Sequence, residues 1–339
     1  VIFAVNNKGE TYVTRLLFRA IGAVWLLLAA QTASAATTWE CYVYNPVATV
    51  AAVKGVIRLI DNVKQQTNGE LLINLHLGGS LPINATNITP AVADSVVQMG
   101  DDGFSTGNVP ISAILRLPML LQSGAELAKA MSILRPYLDK DYGKKGIVVL
   151  SQYSYPFQVI WGRTKITSLA DVKGLKLRVT SVEQGEFIRR FGGVPLTIGT
   201  PEVAAALDRG VVDGALTASS GGGVTWHDLL KYRYGFPTSY VNSTLIVNQE
   251  AFQKLPPATQ KIVHDAATEA ATWAIGEMNQ EEDALTAQYA HDGMIVTPAS
   301  PDDVKLATDK LRPYWDEWAK AHGPEAIEVL AKIRAAVGR

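Results

Sequence analysis

The stretch PATQKIVHDAATEAATWAIGEMNQEEDALTAQY, Pro257 to Tyr289, constrains the fold more than any other part of the chain. After its opening proline nothing in it stops a helix, and Val263, Ala267, Ala270, Ala274 and Met278 recur at helical spacing. The pattern predicts one unbroken helix with a buried face. At 1.5 Å per residue it would be roughly 50 Å long. That exceeds the width of a single small lobe, so the helix is expected to lie across two lobes and tie them together.

The rest of the chain alternates between strand and helix patterns. TTWECYVYN (37–45), ELLINLHLGG, IVVLSQYSY (147–155), FQVIWGRTKI (157–166), KGLKLRVTS and VVDGAL read as strands. Helices are expected after Pro46, from Thr89 and Pro90 to Gly100, over SVEQGEFIRRF, and over TPEVAAALD before Gly210, and RLPMLLQSGAELAKAMSILRPYLDKDYGKKG reads as a loop followed by a helix. Such alternation predicts α/β lobes with mainly parallel sheets. The chain has 339 residues, 47% of them hydrophobic, which is enough for two sizeable cores. A formal charge of −1 and the lack of a Lys/Arg-rich run argue against nucleic acid as a partner.

The N-terminal segment reads as a leader. Arg15 and Arg19 precede the apolar run AIGAVWLLLAA, and QTASA follows with Ala33 and Ala35 in small-x-small spacing. The run is short of the roughly 20 residues that span a bilayer. Residues 1–35 are therefore expected to be an export signal cleaved after about Ala35. Residues 1–14 are read as an upstream extension of the reading frame. Cys41 is the single cysteine, so no internal disulfide is expected, and it reads as a small buried hydrophobe.

In KGLKLRVTS the apolar residues Leu175, Leu177 and Val179 alternate with Lys176, Arg178 and Thr180. Arg178 falls near the strand's carboxyl end, where open α/β sheets bind ligands. Its guanidinium offers a planar fork of donors that matches a carboxylate. Spacing alone leaves two readings open, a ligand's carboxylate or an ordinary ion pair.

Several segments, taken in order, carry a resemblance. GELLINLHLGGSL, LPMLLQSGAELAKA, SLADVKGLKLRV, FGGVPLTIGTPEVAAALDRGVVDGAL and LIVNQEAFQKLPPATQKIVHDAA together span most of the chain after the leader. The run from Ser168 to Gly214 is the most specific. In this order they resemble the solute-binding proteins of TRAP (tripartite ATP-independent periplasmic) transporters. The resemblance implies a two-lobed α/β fold like that of periplasmic binding proteins, with a long helix bracing both lobes. The lobes are expected at 36–157 with 246–288, and at 158–245 with 289–339. It further implies a periplasmic receptor that performs no chemistry. The receptor would hold a small organic carboxylate in the interlobe cleft and deliver it to the small and large membrane subunits.

The resemblance places Arg178 as the carboxylate clamp. A second family position, on the preceding strand, falls on Gln158 when aligned without gaps, and Arg163 lies nearby. A third, often asparagine, falls on Thr217, a departure from the family pattern. Gly221 to Gly223 would leave room for a bulky ligand or form a flexible loop. Tyr44 and Trp226 are the aromatic candidates for the cleft. Phe104 and Ser105 are expected on the first lobe's side of it, and Asn242 is a further polar candidate. The balance of aromatic over polar groups leans to an aromatic or hydrophobic monocarboxylate, with a sugar acid as the alternative.

One stretch admits an enzyme reading, a secreted serine hydrolase. GFSTG (103–107) satisfies G-x-S-x-G, the pattern of a hydrolase nucleophile elbow. That motif needs a strand before it and a helix after it. ADSVVQMGDD reads instead as a helix tail and an acidic turn, and NVP follows. The late histidines His264, His291 and His322 carry no loop signature. The five histidines are scattered, so no metal site and no cofactor are expected.

Overall fold

The computed structural model describes residues 36–339, and the leader read at 1–35 lies outside the described residues. The first part of the chain gives β1 (Thr37–Val43), α1 (Ala51–Gln66), β2 (Leu71–His76), α2 (Ile88–Ala93), β3 (Met99–Asp102), α3 (Gly124–Gly143) and β4 (Ile147–Gly162). There follow β5 (Lys176–Val179), α4 (Val182–Arg190), β6 (Val194–Thr197), α5 (Val203–Asp208), β7 (Gly214–Thr217), α6 (Val224–Trp226) and β8 (Tyr232–Asn248). The chain ends in α7 (Gln249–Gln253), α8 (Pro257–His291), β9 (Ile295–Pro298), α9 (Pro301–His322) and α10 (Pro324–Val337).

The strands join in the order β2-β1-β3-β8-β4-β7-β5-β6, with β9 beside β8. Two strands are shared by both halves. The carboxyl half of β8 pairs with β3 at residues 244–247, and its amino half pairs with β9 at 232–235. β4 runs antiparallel to β8 along its length, and its last residues, Val159–Gly162, pair with β7. Each strand is therefore roughly 50 Å of extended chain crossing from one lobe to the other. The β4–β8 register shifts at Tyr155/Gln158 and again at Gln158/Ile160. Pro156, which has no N–H to offer a ladder, sits in the first of these shifts.

The long helix is as expected, and α8 extends slightly further, to His291. Its predicted stripe is buried. It packs on α1 in one lobe, along β4, and on the 219–223 segment and β9 in the other. A side chain at Gly55 of α1 would lie 3.1 Å from Ala274 Cβ and 3.2 Å from the Ala270 carbonyl. The two helices thus cross at small residues, which permits a close approach.

Four expectations are corrected. The sheet is mixed, not mainly parallel: β1–β3, β5–β6, β5–β7 and β8–β9 are parallel, but the two long strands run antiparallel to each other, and β3 and β7 run antiparallel to them. Residues 147–162 form one bulged strand rather than two. The helix expected to reach Gly100 ends at Ala93, and Met99–Asp102 form β3. Nothing in MGDD favours a strand locally. It holds because Asp101 and Asp102 are buried and hydrogen-bonded to neighbouring elements, so tertiary context overrides propensity. Finally, the residue pattern marks no strand over 232–248, where β8 forms a second crossing strand of the kind that the resemblance implies.

Candidate functional site

Arg178 lies in β5 between β7 and β6, opposite Ala215 and Leu196. The strand ends one residue later, and Ser181 caps α4 by accepting from the Gln184 N–H. The side chain is only 3% exposed. Its Nε donates to the Ile198 carbonyl at 3.0 Å, and its Nη2 donates to Thr200 Oγ1 at 3.4 Å. Aromatic rings flank the guanidinium, with Trp226 at 5.0 Å and Phe104 at 5.8 Å. Among the described residues no carboxylate lies within ion-pair distance of it. Burial pulls its pKa down to about 10, and the charge of Arg116 adds to the effect. The group remains a cation near neutral pH, buried and without a carboxylate partner among the described residues.

Arg178 forms one wall of a cavity of about 30 Å³. Tyr44, Phe104, Gln158, Thr217 and Trp226 line it as well, so the fold gathers six of the eight sequence candidates. Ser105 and Asn242 do not line it. Ser105 is fully buried, and its Oγ shares a hydrogen bond with Ser112 Oγ at 3.0 Å. Asn242 lies within β8, and its Oδ1 accepts from Arg116 Nε at 3.2 Å. Arg163 is exposed just past the end of β4, with its N–H on the Asp213 carbonyl. The cavity also includes Asn45, Thr180, Thr200 and Tyr155. Thr180 and Thr200 escape sequence reasoning: single threonines after a strand carry no signal, and only the packing brings them beside the arginine.

The side chains in this wall are themselves held. Tyr44 donates its hydroxyl to Tyr155 Oη at 2.7 Å and meets Phe104 edge-on, with centroids 5.5 Å apart. Gln158 donates from Nε2 to the Pro156 carbonyl at 3.0 Å. Thr217 Oγ1 accepts from the Gly222 N–H at 2.8 Å. Trp226 is buried, and its Nε1–H has no partner among the described residues.

The glycine run is neither a roomy patch nor a phosphate cradle. Residues 219–223 form a tight π-type turn that α8 holds in place. Glu282 accepts from the Ser219 and Ser220 N–H groups at 2.9 and 2.8 Å, and from Arg233 Nη2 at 3.1 Å. A Cβ on Gly222 would fall 2.2 Å from the Trp226 ring. The missing side chain therefore makes room for the ring that covers Arg178. Gly222→Ala is expected to displace that ring, at an overpacking cost of roughly 1–3 kcal/mol. A thermal melt and the tryptophan emission spectrum check this; if neither changes, the ring has other room.

A larger cavity of about 540 Å³ adjoins the first across Phe104 and Thr180. Its ionisable groups are Glu183 and Glu317, with His322 and Tyr314, so it lacks a fixed cation.

The GFSTG stretch is corrected in one respect. A strand, β3, does precede it, but only a one-turn 3₁₀ segment, Ser105–Gly107, follows. None of the hydrogen bonds of Ser105 involves a histidine. Among the described residues no group of three or more His, Cys, Asp or Glu side chains could hold a metal ion. Cys41 is free and buried.

Residues 48–321 match the family model of bacterial extracellular solute-binding proteins, family 7, the DctP family. The chain is 24% identical over 334 residues to an ectoine/5-hydroxyectoine-binding periplasmic protein of Ruegeria pomeroyi, covering 94% of each chain. It superposes with a TM-score of 0.83 on an extracytoplasmic solute receptor of Bordetella pertussis that binds pyroglutamic acid. That pair is 29% identical and covers 88% of this chain and 100% of the other. A TRAP periplasmic solute-binding protein from a Sulfitobacter species, solved with bound β-D-galacturonate, shares the fold at a TM-score of 0.80 and 21% identity, over 88% of this chain and 100% of that one. With its two-lobed fold, its bracing helix and a family match over most of its length, the chain belongs to the DctP family of TRAP extracytoplasmic solute-binding proteins, which bind and deliver solutes and are not enzymes.

Proposed function

We propose that the chain is a periplasmic receptor for a small monocarboxylate with a compact apolar or cyclic body, close to pyroglutamate in size. The observation that carries this reading is Arg178: a buried guanidinium, charged at neutral pH, with aromatic rings on its flanks and no acidic partner among the described residues. Leaving such a group unpaired is costly, and an anionic oxygen pair on a solute offsets that cost. Gln158 stands where a second basic side chain would suit a dicarboxylate, and its amide adds no charge. The Thr217 hydroxyl is already engaged with Gly222, which disfavours a hydroxyl-rich uronate. The 29% identical receptor binding pyroglutamic acid points the same way. The ectoine-binding relative and the galacturonate-bound structure keep a zwitterion and a sugar acid as alternatives.

In this reading the lobes are 36–157 with 246–288, and 158–245 with 289–339. They close about the bulged stretch where the β4–β8 register shifts, near Tyr155–Ile160. Closure removes water from the arginine–carboxylate pair and strengthens it. The closed form is then recognised by the small and large membrane subunits of a TRAP transporter.

A thermal-shift screen tests the proposal, with pyroglutamate, aromatic monocarboxylates, uronates, C4-dicarboxylates and ectoine as probes. At 100-fold above its Kd a ligand adds about 2.7 kcal/mol of apparent stability. The expected result is a rise of several degrees with a compact monocarboxylate and less with uronates. A rise confined to uncharged solutes would overturn the proposal.

A further inference from the structure

Arg116 is a second buried guanidinium, fully shielded from solvent, and it does not line the cavity beneath Arg178. It lies at the end of the 3₁₀ segment Pro110–Arg116, on the side of the sheet that carries β3. Nη2 donates to the Gly103 carbonyl and to the Asn242 carbonyl, both at 2.7 Å, and Nε donates to Asn242 Oδ1 at 3.2 Å. These contacts anchor it to the loop that bears Phe104 and to the crossing strand β8. Its remaining arm, Nη1, reaches Thr180 Oγ1 at 3.4 Å. Thr180 belongs to the other half of the sheet, two residues beyond Arg178. No carboxylate touches Arg116 among the described residues, although Glu183, at the start of α4, is the foremost charge favouring its ionised form.

Thr180 is itself tied to the crossing strands. Its N–H and its hydroxyl both donate to Gln184 Oε1, at 2.9 and 2.8 Å. Gln184 Nε2 donates in turn to Ser239 Oγ at 3.2 Å, and Ser239 faces Gln158 across the bulged ladder. One guanidinium thus connects the Phe104 loop, β8 and the residue that follows the ligand-binding strand. Gly103 and Thr180, which it grips, both line the cavity.

We infer that Arg116 is a positioning residue that latches the closed form: anchored to the Phe104 loop and to Asn242 of the crossing strand β8, it reaches beyond that strand by a buried hydrogen bond to Thr180, which follows β5. The inference rests on the proposed two-lobe closure and adds a residue that holds the ligand in without touching it. The latch acts on release: a solute enters before the bond forms and leaves after it breaks.

A double-mutant cycle tests it, using Arg116→Met, Thr180→Val and the double variant. Pyroglutamate, orotate and galacturonate serve in turn as probes in stopped-flow tryptophan fluorescence. Each single variant is expected to speed dissociation by roughly 3- to 10-fold, the scale of one ordinary hydrogen bond and in keeping with the long 3.4 Å separation, with association unchanged within about twofold. The double variant should be no faster than the faster single. In thermal unfolding without added solute the two substitutions should act additively, because the open form lacks the bond. Additive effects on dissociation, coupling of equal size in the solute-free melt, or an effect on association alone would each overturn the latch. If the latch fails while Arg178→Ala still abolishes binding, the proposed function stands alone. If the parent chain binds none of the three acids, an acid found in the thermal-shift screen takes their place as probe; if no carboxylate in that screen binds, both fall.

Discussion

Arg178→Ala is expected to abolish measurable carboxylate binding while the solute-free protein still melts cooperatively. Truncating one partner of a buried charge pair costs about 2–5 kcal/mol or more, a loss of about 30- to several thousand-fold in affinity. The upper part of that range applies because no second cation among the described residues lines the cavity. Stability should change less than affinity. Alanine gives up the bonds to the Ile198 carbonyl and Thr200, but it also removes a buried charge that no anion among the described residues compensates. Arg178→Lys separates charge from shape: it keeps the cation, loses the planar fork, and should bind more weakly than the parent and more tightly than alanine. Calorimetry with an acid identified by thermal shift, together with circular dichroism melts, makes the measurement. Parent-like affinity in Arg178→Ala would remove the central support of the carboxylate reading.

Most of the candidate site is legible where chemistry and position coincide. Arg178 stands out because a guanidinium at the carboxyl end of a strand has few uses, and the resemblance supplies the remaining choice. Gln158, Thr217, Trp226, Tyr44 and Phe104 follow from family positions and from aromatic residues near element ends, and the fold brings all five to one cavity. Ser105 and Asn242 lie close in sequence to lining residues, Phe104 and Val241. A side chain one position further along points elsewhere, so both are buried among protein partners.

Arg116 is hidden from sequence reasoning for the opposite reason. RLPMLL reads as a loop, and nothing in it says that the arginine will be buried or bonded to Asn242, more than a hundred positions away. Among the elements, the long helix is readable nearly to the residue, because its apolar stripe and its opening proline are local. Strand β3 and the crossing strand β8 are not, because a four-residue MGDD strand and a polar-rich run such as TSYVNST hold their shape through pairing rather than propensity.

The same β3 residues lead to the second large effect, a fall in stability as pH rises. Asp101 is buried, accepts from the Tyr153 hydroxyl at 2.7 Å, and is bonded to Ser243. Burial pushes its carboxyl up to about 7, against the lowering effect of those bonds. Its neighbour Asp102, bonded to Thr89 and to Tyr142 at 3.1 Å, is likewise pushed by burial to about 6. In the unfolded chain both titrate near the ordinary aspartate value of about 3.9. Between the two values the folded protein holds protons that the unfolded chain releases. Stability from this source is therefore complete below about pH 4 and drains as pH rises through 6 and 7. Moving a carboxyl's titration by one pH unit on folding corresponds to about 1.4 kcal/mol, so the two together contribute on the order of several kcal/mol. The ion-paired carboxylates whose pKa is lowered, such as Glu126, act in the opposite sense at pH below their ordinary value, outside this window. Urea unfolding is thus expected to give a larger free energy at pH 5 than at pH 8. Asp101→Asn, which cannot ionise, should flatten the decline and melt higher than the parent at pH 8. A parent profile that rises between pH 5 and 8, or an Asp101→Asn profile as steep as the parent's, would show that these carboxyls enter the folded state already charged.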